Sequence, residues 1–226
     1  MNKNKLIYLS HFINEQTPTY GNRNRFVNKL KSCITEGDTC NESEWNFTTN
    51  HIGTHVDFPN HFYENGDSLS DYNPKDFIFN NIYLIEVFCD KSKLIDSNDI
   101  NVENIPKNTD FLIIKTNFEK FRNENKFWND YPSFSSDLIK DLKDILNLKA
   151  IGFDLISLTS PNYKSHGKKS HQILLDNNIK KPTLIIEDMN LEDVSIDTKF
   201  NQLIMAPLLI DKANGCPVTI MADINI

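Results

Sequence analysis

His51-Ile-Gly-Thr-His55-Val-Asp57-Phe-Pro-Asn-His61 gathers three of the six histidines of the chain and one aspartate into one short segment. Neutral imidazole and carboxylate are ligands that Zn²⁺ and Mn²⁺ accept, and three protein ligands leave a coordination position for water, as in catalytic sites. A lone histidine is usually an exposed or hydrogen-bonded polar group, but this spacing favours metal binding over that interpretation. The segment therefore predicts a catalytic metal site.

Two residues determine the backbone of this segment. Gly53 can adopt backbone conformations with positive φ that other residues rarely adopt, and Pro59 restricts Phe58 to an extended conformation. An irregular backbone of this kind can turn several side chains toward one point. No Glu follows His51, so the pattern is not the helical His-Glu-x-x-His of zinc peptidases. We expect the segment to form a loop that leaves a strand.

Composition limits the class of protein. The chain has 226 residues, of which 39% are hydrophobic and 24% charged, as expected for one soluble globular domain over residues 1–226. Its formal charge of -7 argues against a nucleic-acid-binding surface. The apolar stretch within residues 1–13 is too short for a signal peptide or a membrane span, so we expect a cytoplasmic protein without a membrane partner.

Apolar runs of strand length alternate with helical patterns, which indicates an α/β domain. The predicted strands are residues 82–88, 111–116, 150–155, 183–186, 203–206 and 218–222. Helices are predicted at 135–146, with apolar residues on one face, and at 165–177.

Two further candidate ligands lie in the second half of the chain. His171 belongs to the predicted helix 165–177, on its surface beside the apolar Ile173 and Leu174. Glu187 directly follows the predicted strand 183–186, and the carboxyl ends of strands are where open α/β sheets bind ligands. Taken alone, these residues would be a helix surface and a strand end, but the first cluster makes them candidates for a shared site.

Together these positions resemble the cyclase family of metal-dependent hydrolases, whose best-known members are the bacterial kynurenine formamidases. The family signature His-x-Gly-Thr-His-x-Asp-x-Pro-x-His is complete between His51 and His61. Similar positions follow in family order along nearly the whole chain: residues 9–11, 17–21, 113–116, 151–154, 157, 170–171, 174–175, 186–191, 207–208 and 214–217.

The resemblance implies a fold and a ligand set. The fold would be an α/β domain of the swivelling β/β/α type. His51, His55 and Asp57 would hold one metal ion, and Asp57 would bridge to a second ion completed by His171 and Glu187. One or two Zn²⁺ ions are implied, with Mn²⁺ as the alternative, and relatives of this kind form homodimers or homotetramers.

The resemblance also implies an activity, the hydrolysis of a small amide by a metal-activated water. His61 would be the proton-transfer residue, and Tyr20 would contact the substrate. An arylformamide such as N-formyl-kynurenine is the leading substrate.

Two departures from the formamidase pattern leave alternatives open. Phe58 replaces a small Ala and should reshape the pocket, and Asn117 and Phe118 replace the Gly-Trp that follows Thr116 in formamidases. A cyclic amide or lactone of the isatin type is therefore an alternative substrate. A protein that binds a metal or a small acid without turnover is an alternative of another class.

Overall fold

The structure is a computed structural model that describes residues 4–23, 25–146, 148–176, 178 and 181–225. Its strands are β1 Asn4–Tyr8, β2 Phe26–Ser32, β3 Glu42–Phe47, β4 His55–Asp57, β5 Ile78–Phe79, β6 Ile82–Glu86, β7 Leu94–Ile95, β8 Phe111–Lys115, β9 Ser133–Phe134, β10 Ala150–Phe153, β11 Leu184–Glu187, β12 Lys199–Pro207 and β13 Gly215–Asn225. Its α-helices are α1 Lys126–Asn129, α2 Ser136–Ile145 and α3 Lys164–Leu175, and several 3₁₀ turns connect these elements.

A mixed sheet of nine strands organises the fold, in the order β5-β12-β13-β4-β11-β10-β8-β6 with β1 paired to β13. The strands β6, β8, β10 and β11 are parallel to their neighbours within this group. The other pairings are antiparallel. Strand β4 lies between β11 and β13 and is antiparallel to both, so it joins the two halves of the sheet.

Hydrophobic cores cover both faces of the parallel strands. Side chains alternate between faces along a strand, so Leu112 and Ile114 pack in one core and Ile113 in the other. The first core includes Leu138, Ile139 and Leu142 of α2 and Leu174 and Leu175 of α3, whereas the second lies against the antiparallel strands. Burial on both faces explains why these strands are continuous apolar runs in the sequence.

The helix predictions are confirmed, with small differences at the ends. Helix α2 begins at Ser136 because the Ser135 side chain accepts a hydrogen bond from the Leu138 amide at 3.1 Å. Leu138, Ile139 and Leu142 lie in the core. Helix α3 spans Lys164–Leu175, and the predicted end at residue 177 lies outside the described residues.

The strand predictions are confirmed in position, although β12 and β13 are longer than predicted. The expected loop at 51–61 is wrong in part, because His55–Asp57 forms β4. Three residues are too few to show a periodic pattern, and β4 is a strand because two neighbouring strands pair with it. The prediction also missed β1 and the hairpin of β2 and β3.

In the part of the chain that the structure describes, no helix combines the length and the apolar character needed to cross a membrane.

Glu119 connects a 3₁₀ turn after β8 to the loop after β11. It lies in the turn Phe118–Phe121 and accepts a hydrogen bond from the Leu191 amide at 2.8 Å. Burial and the nearby carboxylate of Asp154 raise the pKa of Glu119 to about 7, although the Leu191 hydrogen bond and Lys115 act in the opposite direction. Ionised Glu119 therefore destabilises the fold.

We predict that Glu119→Gln stabilises the protein increasingly as the pH rises from 4.5 to 7. In this window the unfolded chain loses the Glu119 proton and the folded chain keeps it, so the wild type loses stability as the pH rises. Glutamine can still accept the Leu191 hydrogen bond without ionising. The expected gain at pH 8 is roughly 1 to 2 kcal/mol in the free energy of unfolding, measured by urea denaturation. A gain that is equal at pH 4 and pH 8 would contradict the prediction.

Candidate metal centre

Strand β4 places two of the predicted ligands on one face of the sheet. His55 and Asp57 are two residues apart and point the same way, whereas Val56 points into the second core. Glu187 of β11 is directly opposite His55 in the antiparallel ladder, and directly opposite residues have neighbouring side chains. The His55 Nε2 atom lies 3.3 Å from Glu187 Oε2. Sheet register therefore brings three of the predicted ligands together.

Helix α3 supplies the fourth predicted ligand. His171 Nε2 lies 3.5 Å from Asp57 Oδ2 and 3.4 Å from Glu187 Oε1. The ring of Phe62 stacks on the His171 ring at 4.6 Å and 14°. His171 is only 3% exposed, so the expectation of a helix-surface position is wrong.

His51 and His61 complete the cluster on the other side of Asp57. His51 Nδ1 lies 2.9 Å from Asp57 Oδ1, and the His51 and His61 rings are 4.3 Å apart. Ligand atoms of His51, Asp57 and His61 all lie within 4.8 Å of one another, and so do those of Asp57, His171 and Glu187. The two groups share Asp57. All six residues that the sequence assigns to the metals and to proton transfer thus lie together, while their individual roles stay predictions.

Backbone carbonyls orient two of the histidine rings. His55 Nδ1 donates to the Gly53 carbonyl at 2.8 Å, and His171 Nδ1 donates to the Gly167 carbonyl at 2.9 Å. A carbonyl only accepts, so Nδ1 carries the proton in each ring and the Nε2 atom faces the cluster. Metal-binding histidines are typically held by such a hydrogen bond on the second nitrogen.

The cluster fits a divalent cation. His55 Nε2 and Asp57 Oδ1 are buried, and their contacts with Glu187 Oε2 at 3.3 Å and with His51 Nδ1 at 2.9 Å do not have the geometry of a hydrogen bond. Leaving a buried polar atom unsatisfied costs about 1 to 3 kcal/mol, so two such atoms facing the same cluster need an explanation. A cation bound within the cluster would explain both atoms, because it would be a partner for each of them. The nitrogen and oxygen ligands suit Zn²⁺ and Mn²⁺ alike.

The charges of the cluster compensate one another. Burial by itself would lower the pKa of His55 and His171, but Glu187 and Asp57 outweigh it and raise these pKa values to about 9 and about 10. Burial would raise the pKa of Glu187, but the two histidines lower it to about 2. Positive charge between the carboxylates is therefore strongly favoured, and a metal ion would displace the imidazole protons. Burial lowers the pKa of His61, whose ring is neutral at pH 7.

A cavity of about 340 Å³ opens onto the cluster. Tyr20, Phe62 and Ile156 form apolar parts of its wall, and Ser157 and Thr159 add hydroxyl groups. The predicted substrate-contact residue, Tyr20, thus lies on the wall. None of the described residues that line the cavity is Lys or Arg.

The two departures from the formamidase pattern lie away from this wall. Phe58 is fully buried, packs against Tyr72 and Phe77, and is not among the lining residues, so the expectation that it reshapes the pocket is wrong. Asn117 takes the left-handed conformation with φ 58°, which Asn tolerates better than most residues in place of Gly. Phe118 is fully buried in the first core.

Sequence reasoning missed Ile156 and Thr159, which line the cavity just after β10. Their position beyond the carboxyl end of a buried parallel strand is the signal that could have found them. The sequence places Gly215 among the family positions but gives no sign of its role, which follows from its place opposite Asp57 in the ladder between β4 and β13. A Cβ atom at Gly215 would lie 2.6 Å from His51 Cε1, so only glycine leaves room for the His51 ring.

Residues 7–159 match the Cyclase family, described as "Putative cyclase". The chain belongs to this family, which confirms the resemblance. It is 24% identical over 220 residues to Cyclase-like protein 3 of Oryza sativa subsp. japonica, an alignment that covers 95% of this chain and 78% of the relative.

Solved structures confirm the α/β fold. Isatin hydrolase A from Labrenzia aggregata bound to benzyl benzoate superposes with a TM-score of 0.78 at 18% identity, over 99% of this chain and 94% of that one. A predicted metal-dependent hydrolase from Bacillus stearothermophilus superposes with a TM-score of 0.71 at 19% identity, over 98% of each chain. At these identities the likeness establishes the fold, which is that of cyclase-family metal-dependent hydrolases.

We predict that Gly215→Ala weakens Zn²⁺ binding roughly tenfold, because the added methyl group displaces His51 from Asp57. Competition with a chromogenic chelator measures the affinity. A double-mutant cycle with His51→Ala gives the control, since Gly215→Ala should change the affinity less than about twofold once the His51 ring is absent. Equal losses in both backgrounds would show that Gly215 acts by another route.

Proposed function

We propose that this chain is a metal-dependent hydrolase that cleaves the C–N bond of a small amide with an activated water. One observation carries the proposal: two groups of ligand atoms share Asp57 and face a cavity of about 340 Å³. A metal site with a purely structural role would not need to open onto a cavity that a substrate can enter. Membership of the cyclase family and the fold of its metal-dependent hydrolases support the proposal.

The proposed ligands divide between two positions. The family resemblance assigns His51, His55 and Asp57 to one ion, whereas the corresponding group of ligand atoms in the structure has His61 in place of His55. Asp57, His171 and Glu187 would hold the other ion. We propose Zn²⁺, with Mn²⁺ as the alternative. When bound, a divalent cation lowers the pKa of water from about 15.7 to about 7 and polarises a substrate carbonyl.

His61 is the proposed acid and base. Its ring is neutral at pH 7 and lines the cavity, so it can accept a proton from the attacking water. It would then donate this proton to the departing nitrogen, and proton transfer of this kind contributes about 10²–10⁴-fold to a rate. The Cys216 thiol is buried away from the cavity, and burial raises its pKa to about 11, so it is no competing nucleophile.

The cavity suits a compact aromatic amide. Tyr20 and Phe62 offer aromatic surface, and the hydroxyl groups of Ser157 and Thr159 offer polar contacts. An arylformamide is the first candidate. N-formyl-kynurenine fits this class, but its amino-acid carboxylate would meet no Lys or Arg among the described lining residues.

A cyclic amide of the isatin type is the second candidate. It has the same planar aromatic shape and no charged side chain, and isatin hydrolase A has the same fold. A protein that binds a metal or a small acid without turnover is the alternative of a different class. We also propose that the protein acts on its small-molecule substrate in the cytoplasm as a homodimer or homotetramer.

We predict that Asp57→Ala loses both metal and hydrolysis, because Asp57 belongs to both groups of ligand atoms. His61→Ala should keep most of the metal and lose about 10²–10⁴-fold in kcat, as expected for the loss of a general acid and base. Elemental analysis of each purified variant beside steady-state kinetics makes the comparison. Equal metal loss in the two variants would show that His61 is a ligand.

We predict that protein loaded with Zn²⁺ or Mn²⁺ hydrolyses formanilide and isatin with higher kcat/KM than N-formyl-kynurenine. The reason is the absence of a cationic partner for the amino-acid tail among the described lining residues. Product formation is followed by absorbance, with Asp57→Ala as the blank. Full metal occupancy without turnover of any of the three compounds would favour the binding protein.

A further inference from the structure

Thr54 lies between two residues that shape the metal centre. Gly53 before it accepts the hydrogen bond from His55 Nδ1, and His55 after it is a proposed ligand. The Thr54 side chain is buried and faces away from solvent. Its hydroxyl donates to the Asp188 carbonyl at 2.6 Å and accepts from the His11 amide at 3.0 Å. The hydroxyl thus joins three separate segments of the chain.

The hydrogen bond to Asp188 continues the pairing of β4 with β11 beyond the end of the ladder. The last pair of that ladder is His55 with Glu187, and the next would be Thr54 with Asp188. Asp188 adopts a left-handed conformation with φ 53°, which turns the chain out of the sheet. The Thr54 hydroxyl therefore makes a connection at the position where regular pairing has ended.

Asp188 is itself firmly held, so it is a suitable anchor. Arg122 donates from Nε and Nη2 to its two carboxylate oxygens at 2.9 and 2.7 Å. Its amide donates to the Leu155 carbonyl at 2.8 Å. On the other side, the Thr54 carbonyl accepts from the Val218 amide of β13 at 2.9 Å. Thr54 is bound on both sides, immediately beside the pair of proposed ligands.

We propose that Thr54 is a positioning residue, whose hydroxyl sets the separation of His55 from Glu187 and so the affinity of the centre for its metal. The inference rests on the proposed metal site but not on the proposed hydrolysis. Residues that orient metal ligands typically change metal affinity by 10–100-fold when they are replaced. A valine at position 54 would have the same shape as threonine but could make neither of the two hydrogen bonds of the hydroxyl.

The test compares Thr54→Val, which keeps the shape and removes the hydroxyl, with Thr54→Ser, which keeps the hydroxyl. Thr183→Val is the matched control, because Thr183 is also buried and donates to a backbone carbonyl, that of Leu148 at 3.1 Å, near the start of β11. Zn²⁺ affinity is measured by chelator competition at a temperature well below the Tm of each variant. Thr54→Ala replaces the valine variant if the latter does not fold.

We expect Thr54→Val or Thr54→Ala to weaken Zn²⁺ binding at least tenfold, and Thr54→Ser to change it less than about threefold. Thr183→Val should lower the Tm and leave the affinity unchanged. Metal-free crystal structures give a second readout, in which the 3.3 Å contact of His55 Nε2 with Glu187 Oε2 lengthens in the valine variant and persists in the serine variant.

Two results would overturn the inference. One is wild-type affinity in Thr54→Val together with an unchanged contact between His55 and Glu187. The other is an equal loss of affinity in Thr183→Val, which would show a general effect of stability. Zn²⁺ binding without turnover of any amide contradicts the proposed function and leaves the inference standing. If the wild type binds no Zn²⁺, the metal-dependent function fails and the crystal comparison alone decides the role of Thr54.

Discussion

The pairing of β4 on both sides is the constraint on which the metal centre depends. Strand β4 has only three residues, yet its register against β11 and β13 decides which side chains meet. Alternation places His55 and Asp57 on the face of the cavity and Val56 in the core. A slip of one residue would bury both ligands in the core and turn Val56 toward the cavity, so the buried apolar face specifies the register strongly.

Burying this cluster is costly unless its charges are matched. Asp57 and Glu187 are almost fully buried, and isolated carboxylates in such surroundings would lose several kcal/mol of hydration. Asp57 and Glu187 raise the pKa values of His55 and His171 to about 9 and about 10, so protonated imidazoles would balance the two carboxylates when no metal is bound. Hydrogen bonds from Nδ1 of each ring to the carbonyls of Gly53 and Gly167 orient both rings toward the carboxylates. The same geometry that stabilises the protonated cluster is thus organised to receive a cation.

The parts of the fold that show in the sequence are those with a repeating pattern or a dense chemical signature. Apolar runs predicted β8 and β10, and the amphipathic pattern predicted α2. The signature between His51 and His61 correctly predicted that its histidines and Asp57 share one site. Strand β4 is too short for any period, so its pairing is visible only in three dimensions. The direction of Phe58 was misjudged for a related reason. It follows a ligand in sequence, but its side chain points into the second core.

The fixed positions of the signature that are not ligands acquire physical roles from this pairing. Gly53 offers the carbonyl that orients His55, and Thr54 holds the end of β4 beside Asp188. Gly215 lies far away in sequence but plays a comparable part, because it leaves the space that His51 occupies above β13. None of the three contributes a ligand atom. The segment therefore encodes the placement of a strand as well as the donors on it, and a chain with the same donors but a displaced strand would lack the centre.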